Sequence, residues 1–238
     1  MFRMSQFQAL AASTVIMTAA PILGTAETRD FDLSEFNRIE ISAGINAIVE
    51  IGQNFSVRAE TDNIKILDDL RIVVRSRKLT ADFDLGFFES IFGKNRDVTV
   101  YITLPDLTEV EGSAGADVMV SGSFGTELFA AATSGASLLI DGITSERVDL
   151  DASSGGSLRV SGDCATLCVD ASSGASINAA KLTCEFVKAE ASSGASAVVF
   201  ARTSIDADAS SGGDIDVEGS PTRIEVDKSS GGDIDFNY

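Results

Sequence analysis

Apolar and polar residues alternate on both sides of a Ser-Gly sequence that recurs through the second half of the chain. The apolar positions lie seven and five residues before each glycine, and three and five residues after it. Alternation with a period of two is typical of β-strands that bury one face. Each repeat is therefore predicted to contain at least two short strands that flank the glycine.

The repeated glycine defines the period of the chain. Successive glycines are 20, 20, 19, 20, 18 and 19 residues apart, at Gly115, Gly135, Gly155, Gly174, Gly194, Gly212 and Gly231. A period near 20 is typical of a solenoid, in which each unit buries its apolar face against its neighbours. A leucine-rich repeat is disfavoured, because its Asn/Cys ladder and helical half are absent. We therefore predict an all-β, single-domain parallel β-helix of about 19–20 residues per rung.

The Ser-Gly motif is interpreted as the corner of each rung. Glycine adopts a positive φ there at no steric cost, and serine hydroxyls are expected to bond the bent backbone. The serine columns also form a hydroxyl array that could contact a sugar polymer or ice, although the corner explanation needs no ligand.

Three segments are predicted along the chain. Residues 1–26 resemble a cleaved export signal, because an apolar stretch precedes small residues at Gly24 and Ala26; a retained N-terminal anchor is the alternative. Residues 27–106 are predicted to form the first rungs and an N-terminal cap, and residues 107–238 the regular rungs. The protein is thus expected in the periplasm, on the outer-membrane surface or outside the cell, with no transmembrane segment after signal cleavage.

Negative charge limits the choice of partners. The net charge is −18, and residues 107–238 contain 21 acidic residues against 7 basic ones. Such a surface repels nucleic acid and anionic lipid headgroups and suits solubility, divalent cations or basic partners.

One acidic column is predicted on the outside of the stack. Four residues before the glycine, six of seven positions are acidic, and like charges on neighbouring rungs cost about 0.2–1 kcal/mol each. Because Ca²⁺ prefers several oxygen ligands, five of these residues are candidate Ca²⁺ ligands: Asp151, Asp170, Glu190, Asp208 and Asp227. The alternative is a solubilising face that blocks aggregation, and the nonapeptide Ca²⁺ signature is absent. No other cofactor is indicated.

The three cysteines suggest a cross-link between rungs. Cys164 and Cys184 each lie ten residues before a repeat glycine, so they should stack within disulfide range and leave Cys168 free. Three free thiols or a Cys164–Cys168 bridge are the alternatives. A metal site is disfavoured, because the chain has no histidine and no paired CxxC motif.

An unusually apolar segment lies between two predicted strands at 83–94. It carries a candidate partner patch of Phe87, Phe88, Ile91 and Phe92. Such a segment either packs over the N-terminal end of the coil or forms an exposed patch for a partner or a membrane.

Several of these sequences together resemble a bacterial family. Phe36–Ile39 lead to a Gly-Ile-Asn triplet at 44–46, followed by Val98–Pro105 and the Ser-Gly rungs. The chain resembles, from about residue 36 to near its end, the "putative auto-transporter adhesin, head GIN domain" family. The resemblance implies an exported bacterial β-helix, often on the envelope, and brings no catalytic residues.

Catalysis is disfavoured by the residues themselves. The chain has no histidine for a Ser-His-Asp set and no GxSxG or SxxK motif, and its few basic residues after 107 share no column. The leading hypothesis is a non-catalytic, exported binding module that presents repetitive faces to an envelope glycan, another polymer or a protein. A purely structural or assembly component is the alternative, and a polysaccharide-active enzyme is less favoured. The oligomeric state is left open.

Overall fold

The computed structural model describes residues 26–83, 97–122 and 125–237. The segment that carries Phe87, Phe88, Ile91 and Phe92 lies outside the described residues, as do residues 1–25 of the predicted export signal. Within the described ranges the backbone forms one helix, α1 (Ile64–Asp69), and the following strands: β1 (Glu27–Phe31), β2 (Arg38–Ile41), β3 (Asn46–Ile51), β4 (Ser56–Thr61), β5 (Leu70–Arg75), β6 (Lys78–Phe83), β7 (Val98–Leu104), β8 (Glu109–Gly112), β9 (Asp117–Ser121), β10 (Glu127–Thr133), β11 (Ser137–Ser153), β12 (Ser157–Ala171), β13 (Ser176–Ala191), β14 (Ser196–Ala209), β15 (Asp214–Gly219), β16 (Arg223–Lys228) and β17 (Asp233–Asn237).

Successive rungs stack in parallel and in register, which confirms the predicted β-helix. Leu138 on β11 pairs with Leu158 on β12, and Leu158 pairs with Ile177 on β13. The ladders between the long strands β11–β14 are interrupted by register shifts, one in each of the pairs β11–β12 and β12–β13 and two in the pair β13–β14. We call the strands that precede each Ser-Gly corner face 1 and those that follow it face 2. A short third face around Cys164 and Cys184 connects face 2 back to face 1.

Each corner has the geometry of a type I′ turn. In the corner at 153–156, Ser154 and Gly155 have φ of 52° and 73°, and the amide of Gly156 donates to the carbonyl of Ser153. A further main-chain bond joins neighbouring corners, from the Gly155 amide to the Ser173 carbonyl at 3.2 Å. The corner is thus closed by the backbone rather than by the serine hydroxyls that the sequence suggested. Both central residues, and not glycine alone, are left-handed.

The N-terminal strands are stacked in an order that differs from the chain order. The β2–β3 rung, whose corner contains Gly44 at φ 73°, is paired with β6 and β7 on one side and with β8 and β9 on the other. Beyond β6 and β7 the pairing becomes antiparallel, with β5 on face 1 and β4 then β1 on face 2. α1 connects β4 to β5 and buries Leu67. These antiparallel strands cap the stack, as the fold prediction required.

The interior is a continuous column of small and branched apolar side chains. Val, Ile, Leu and Ala at the alternate positions of every rung are almost fully buried. In the last described rung, on β16, Ile224 and Val226 continue the inward positions but are 43% and 46% exposed. The core therefore depends on each rung covering the next.

Replacing either of two adjacent glycines by alanine is predicted to destabilise the fold, but by different amounts. A Cβ at Gly155 meets nothing within 4 Å, so Gly155→Ala should cost only the left-handed strain, about 1 kcal/mol. A Cβ at Gly156 would lie 2.0 Å from the Ala132 carbonyl oxygen of the rung below. We expect Gly156→Ala to cost more, about 2–3 kcal/mol of overpacking. Urea unfolding measures both, and equal stability of the two variants would contradict the corner geometry.

Candidate functional site

The outward residues of face 2 contain a continuous apolar column. In-register pairing places Tyr101 beside Ile48, Ile48 beside Met119, and Met119 beside Leu139. Met119 is 50% exposed and Tyr101 39% exposed, whereas Ile48 and Leu139 are half-buried. We call these four residues the apolar stripe. An exposed apolar surface that spans several strands is uncommon and marks interaction sites.

Ile48, Met119 and Leu139 of the apolar stripe line a shallow groove of about 520 Å³. Tyr101 extends the stripe beside Ile48. Next to it runs a column of polar residues that pair in the same ladders: Thr99, Asn46, Asp117, Ser137 and Ser157. These side chains supply hydroxyl, amide and carboxylate groups beside an apolar surface. Concave sites with an apolar lining and few polar groups are typical of ligand binding.

Arginines lie at both ends of the apolar stripe. Arg159 pairs with Leu139 in the next rung, lines the groove and is exposed. Its guanidinium is within 4 Å of no carboxylate among the described residues. Arg58 is next to Tyr101 at the other end, but its Nε donates to the Asp30 carboxylate at 3.1 Å. The groove therefore has a cation available at the Arg159 end.

Sequence reasoning missed this groove, although a signal was present. The residue four after the corner glycine is Ile48, Met119 and Leu139 in three rungs, while the same position is polar or charged in most later rungs. The position belongs to the outward set, which the alternation predicts to be mostly polar. Tyr101 could not be added from the repeat, because β7 is outside the 20-residue register.

The predicted acidic column exists on face 1. The ladder pairs Asp151 with Asp170, Asp170 with Glu190, Glu190 with Asp208 and Asp208 with Asp227. Among the described residues, no three acidic, cysteine or histidine side chains converge to hold a metal ion. A single column gives each gap two carboxylates at most, and Ca²⁺ needs more oxygen ligands.

At the N-terminal end of face 1, one lysine ammonium lies among the acidic side chains and offsets part of their negative charge. The Lys78 ammonium lies 2.5 Å from Glu111, 2.9 Å from Glu109 and 3.5 Å from Glu40. Burial lowers the pKa of Lys78, but the hydrogen bonds and charges of Glu111 and Glu109 outweigh it, so the net shift is upward. Ala131 then interrupts the column before Asp151. This cluster is a structural ion-pair network.

The cysteines behave differently from one another. Cys164 and Cys184 are paired on adjacent rungs and form a disulfide with a Cα–Cα distance of 4.6 Å. Cys168 is a free, half-buried thiol on face 1, with Arg147 donating to its sulfur at 3.5 Å. Burial raises the pKa of Cys168, and the positive charge of Arg147 only partly opposes this shift. The thiol is therefore protonated at neutral pH and is a poor nucleophile.

The chain was compared with known proteins. A family model described as "Putative auto-transporter adhesin, head GIN domain" matches residues 35–221. No curated protein matches the sequence. At six residues α1 is too short to cross a membrane, and no other described segment forms a membrane-spanning helix.

Several crystal structures share the fold. A "putative adhesin" from Bacteroides fragilis is 19% identical, with a TM-score of 0.79 over 90% of this chain and 97% of that one. A "putative lipid binding protein" from Parabacteroides distasonis is 16% identical, with a TM-score of 0.68 over 91% and 98% of the two chains. A "putative adhesin" from Parabacteroides merdae is 16% identical, with a TM-score of 0.63 and the same coverage. At these identities the likeness establishes the fold.

The acidic column predicts a pH-dependent substitution effect. Burial raises the pKa of Asp151, and the carboxylate of Asp170 adds to the shift. A raised folded-state pKa means that the charged form destabilises the fold, and this penalty disappears as the pH falls below the ordinary aspartate value of about 3.9. Asp151→Asn should therefore stabilise the protein at pH 7, by about 0.2–1 kcal/mol, toward the low end because solvent screens the pair.

Thermal unfolding at several pH values measures the effect. Asp227→Asn is the control: each of the two residues has one acidic neighbour in the column, but Asp151 is half-buried whereas Asp227 is exposed. We expect Asp227→Asn to raise the free energy of unfolding at pH 7 by less than Asp151→Asn does. A stabilisation by Asp151→Asn that persists undiminished at pH 3 would contradict the charge explanation.

Proposed function

The chain belongs to the "Putative auto-transporter adhesin, head GIN domain" family, and from this premise we propose that it is a non-catalytic, exported binding protein that holds its ligand in the face 2 groove. The observation that carries the proposal is the apolar stripe, in which four outward apolar side chains lie on adjacent strands of one face. The exposed Phe186, in contrast, has the polar neighbours Thr166 and Ser204 in its ladder. A solenoid needs no such surface for its own stability, because its core is filled from the opposite side of the same strands.

The comparisons support binding in general terms. The family and its structural neighbours are described by adhesion or lipid binding, and none of these descriptions names a reaction. Among the described side chains, burial keeps the thiol of Cys168 protonated. The ladder places each carboxylate of the acidic column beside another acid, and Glu190 also forms an ion pair with Lys188. Periplasm, outer-membrane surface and extracellular space all fit an exported binding protein.

The groove is tested by blocking the apolar stripe. Met119→Asp should weaken binding at least about tenfold, because a buried methionine contributes about 1.5–3 kcal/mol. Phe186→Asp is the matched control, since Phe186 is 51% exposed at the start of a face 1 strand, outside the groove. Binding is measured on immobilised glycans, fatty acids and phospholipids. Equal binding by wild type and Met119→Asp, or equal losses in both variants, would contradict the proposal.

A structural role in assembly is the second candidate. It is favoured by Ile224 and Val226, whose exposed side chains on β16 would be covered by a strand of another molecule added to that edge. Sedimentation velocity over a hundredfold concentration range tests it. Assembly predicts a concentration-dependent oligomer that Val226→Lys dissociates, whereas a monomer at all concentrations would exclude it.

A further inference from the structure

The central outward column of face 2 differs in charge from the rest of the surface. In ladder order it continues from the apolar stripe through Arg159 to Asn178 and Val198. These seven positions include no carboxylate, although the protein contains 36 acidic residues. The column becomes acidic only at Asp216 and Asp235, near the last rungs. A ligand bound along this column therefore meets no acid in the column before Asp216, and it meets the carboxylate of Asp117 in the neighbouring polar column.

The dimensions of the apolar stripe suit one extended chain. Its four side chains occupy four adjacent strands, and neighbouring strands are about 4.8 Å apart, so the stripe extends for about 14 Å. The next strand adds Arg159, whose guanidinium is available for a ligand. The hydroxyls of Ser137 and Ser157 line the same end of the groove. An apolar stripe that ends at a cation and hydroxyl donors has the polarity of an amphiphile.

The chemistry of Arg159 indicates the headgroup. A guanidinium donates two parallel hydrogen bonds to a carboxylate or phosphate group. A polyanion would be repelled by the acidic surface as a whole, whereas a ligand with a single charge and a long alkyl chain avoids most of that repulsion.

Building on the function proposed above, we propose that the groove binds a single-chain amphiphile with one anionic headgroup. Its alkyl chain lies along Tyr101, Ile48, Met119 and Leu139, and its headgroup is bound by Arg159. The source is a lipid monomer rather than a membrane surface, because the groove accommodates one chain and the surrounding surface is acidic.

Isothermal titration of the whole exported chain with dodecanoate and dodecyl maltoside, both below their micelle concentrations, tests this inference. Wild type should bind dodecanoate, and dodecyl maltoside at least about tenfold more weakly. Arg159→Gln should weaken dodecanoate binding by about tenfold, which is the loss of one charge-assisted hydrogen-bonding group. Arg223→Gln, which removes another exposed arginine on β16, should leave it unchanged. Met119→Asp should weaken both ligands.

The outcomes separate the inference from the proposed function. Equal binding of both amphiphiles, with no effect of Arg159→Gln, would overturn the anionic headgroup and leave the groove as a binding site. Binding of neither amphiphile would overturn the inference, while a glycan or phospholipid ligand that Met119→Asp weakens would still support the proposed function. Amphiphile binding that is unaffected by Met119→Asp would overturn both.

Discussion

The structure depends on main-chain hydrogen bonding between rungs that remain in register through the corners. The Ser172 amide donates to the Ala152 carbonyl, and the Ser176 amide to the Gly156 carbonyl, so the ladder continues on both sides of each turn. A corner that moved by one residue would exchange inward and outward side chains over the next strand. This requirement explains why five nearly identical residues recur. It also explains why a left-handed residue precedes every repeat glycine, serine in six rungs and Ala114 in one.

In-register stacking also determines which columns of side chains form on the surface. Inward positions are restricted to Val, Ile, Leu and Ala by the narrow core, whereas outward positions are free to vary, yet each contacts its counterpart on the next rung. A residue type repeated at one position therefore forms a continuous column. In the acidic column on face 1, carboxylates on neighbouring rungs destabilise the fold when they are charged, so stability depends on pH. On face 2, the apolar stripe brings together residues such as Ile48 and Met119, which are 71 positions apart in the chain.

Much of the fold could be predicted from the sequence, because the period of the glycines fixes the neighbours of each residue. The positions of Asp151 beside Asp170, and of Cys164 beside Cys184, follow from that period alone. The N-terminal cap could not be predicted in detail, because β4 and β5 pair with strands that no repeat relates to them, and α1 has no repeat signal. The groove was missed because Ile48, Met119 and Leu139 occupy an outward position, where the alternation predicts mostly polar residues.

The disulfide offers the most direct test of in-register stacking, because it joins residues that only neighbouring rungs bring together. The measurement is mass spectrometry of proteolytic fragments from protein purified without reductant. In-register stacking predicts a fragment in which Cys164 is linked to Cys184, with Cys168 recovered as a free thiol. A fragment that links Cys164 to Cys168, or Cys168 to Cys184, would contradict it.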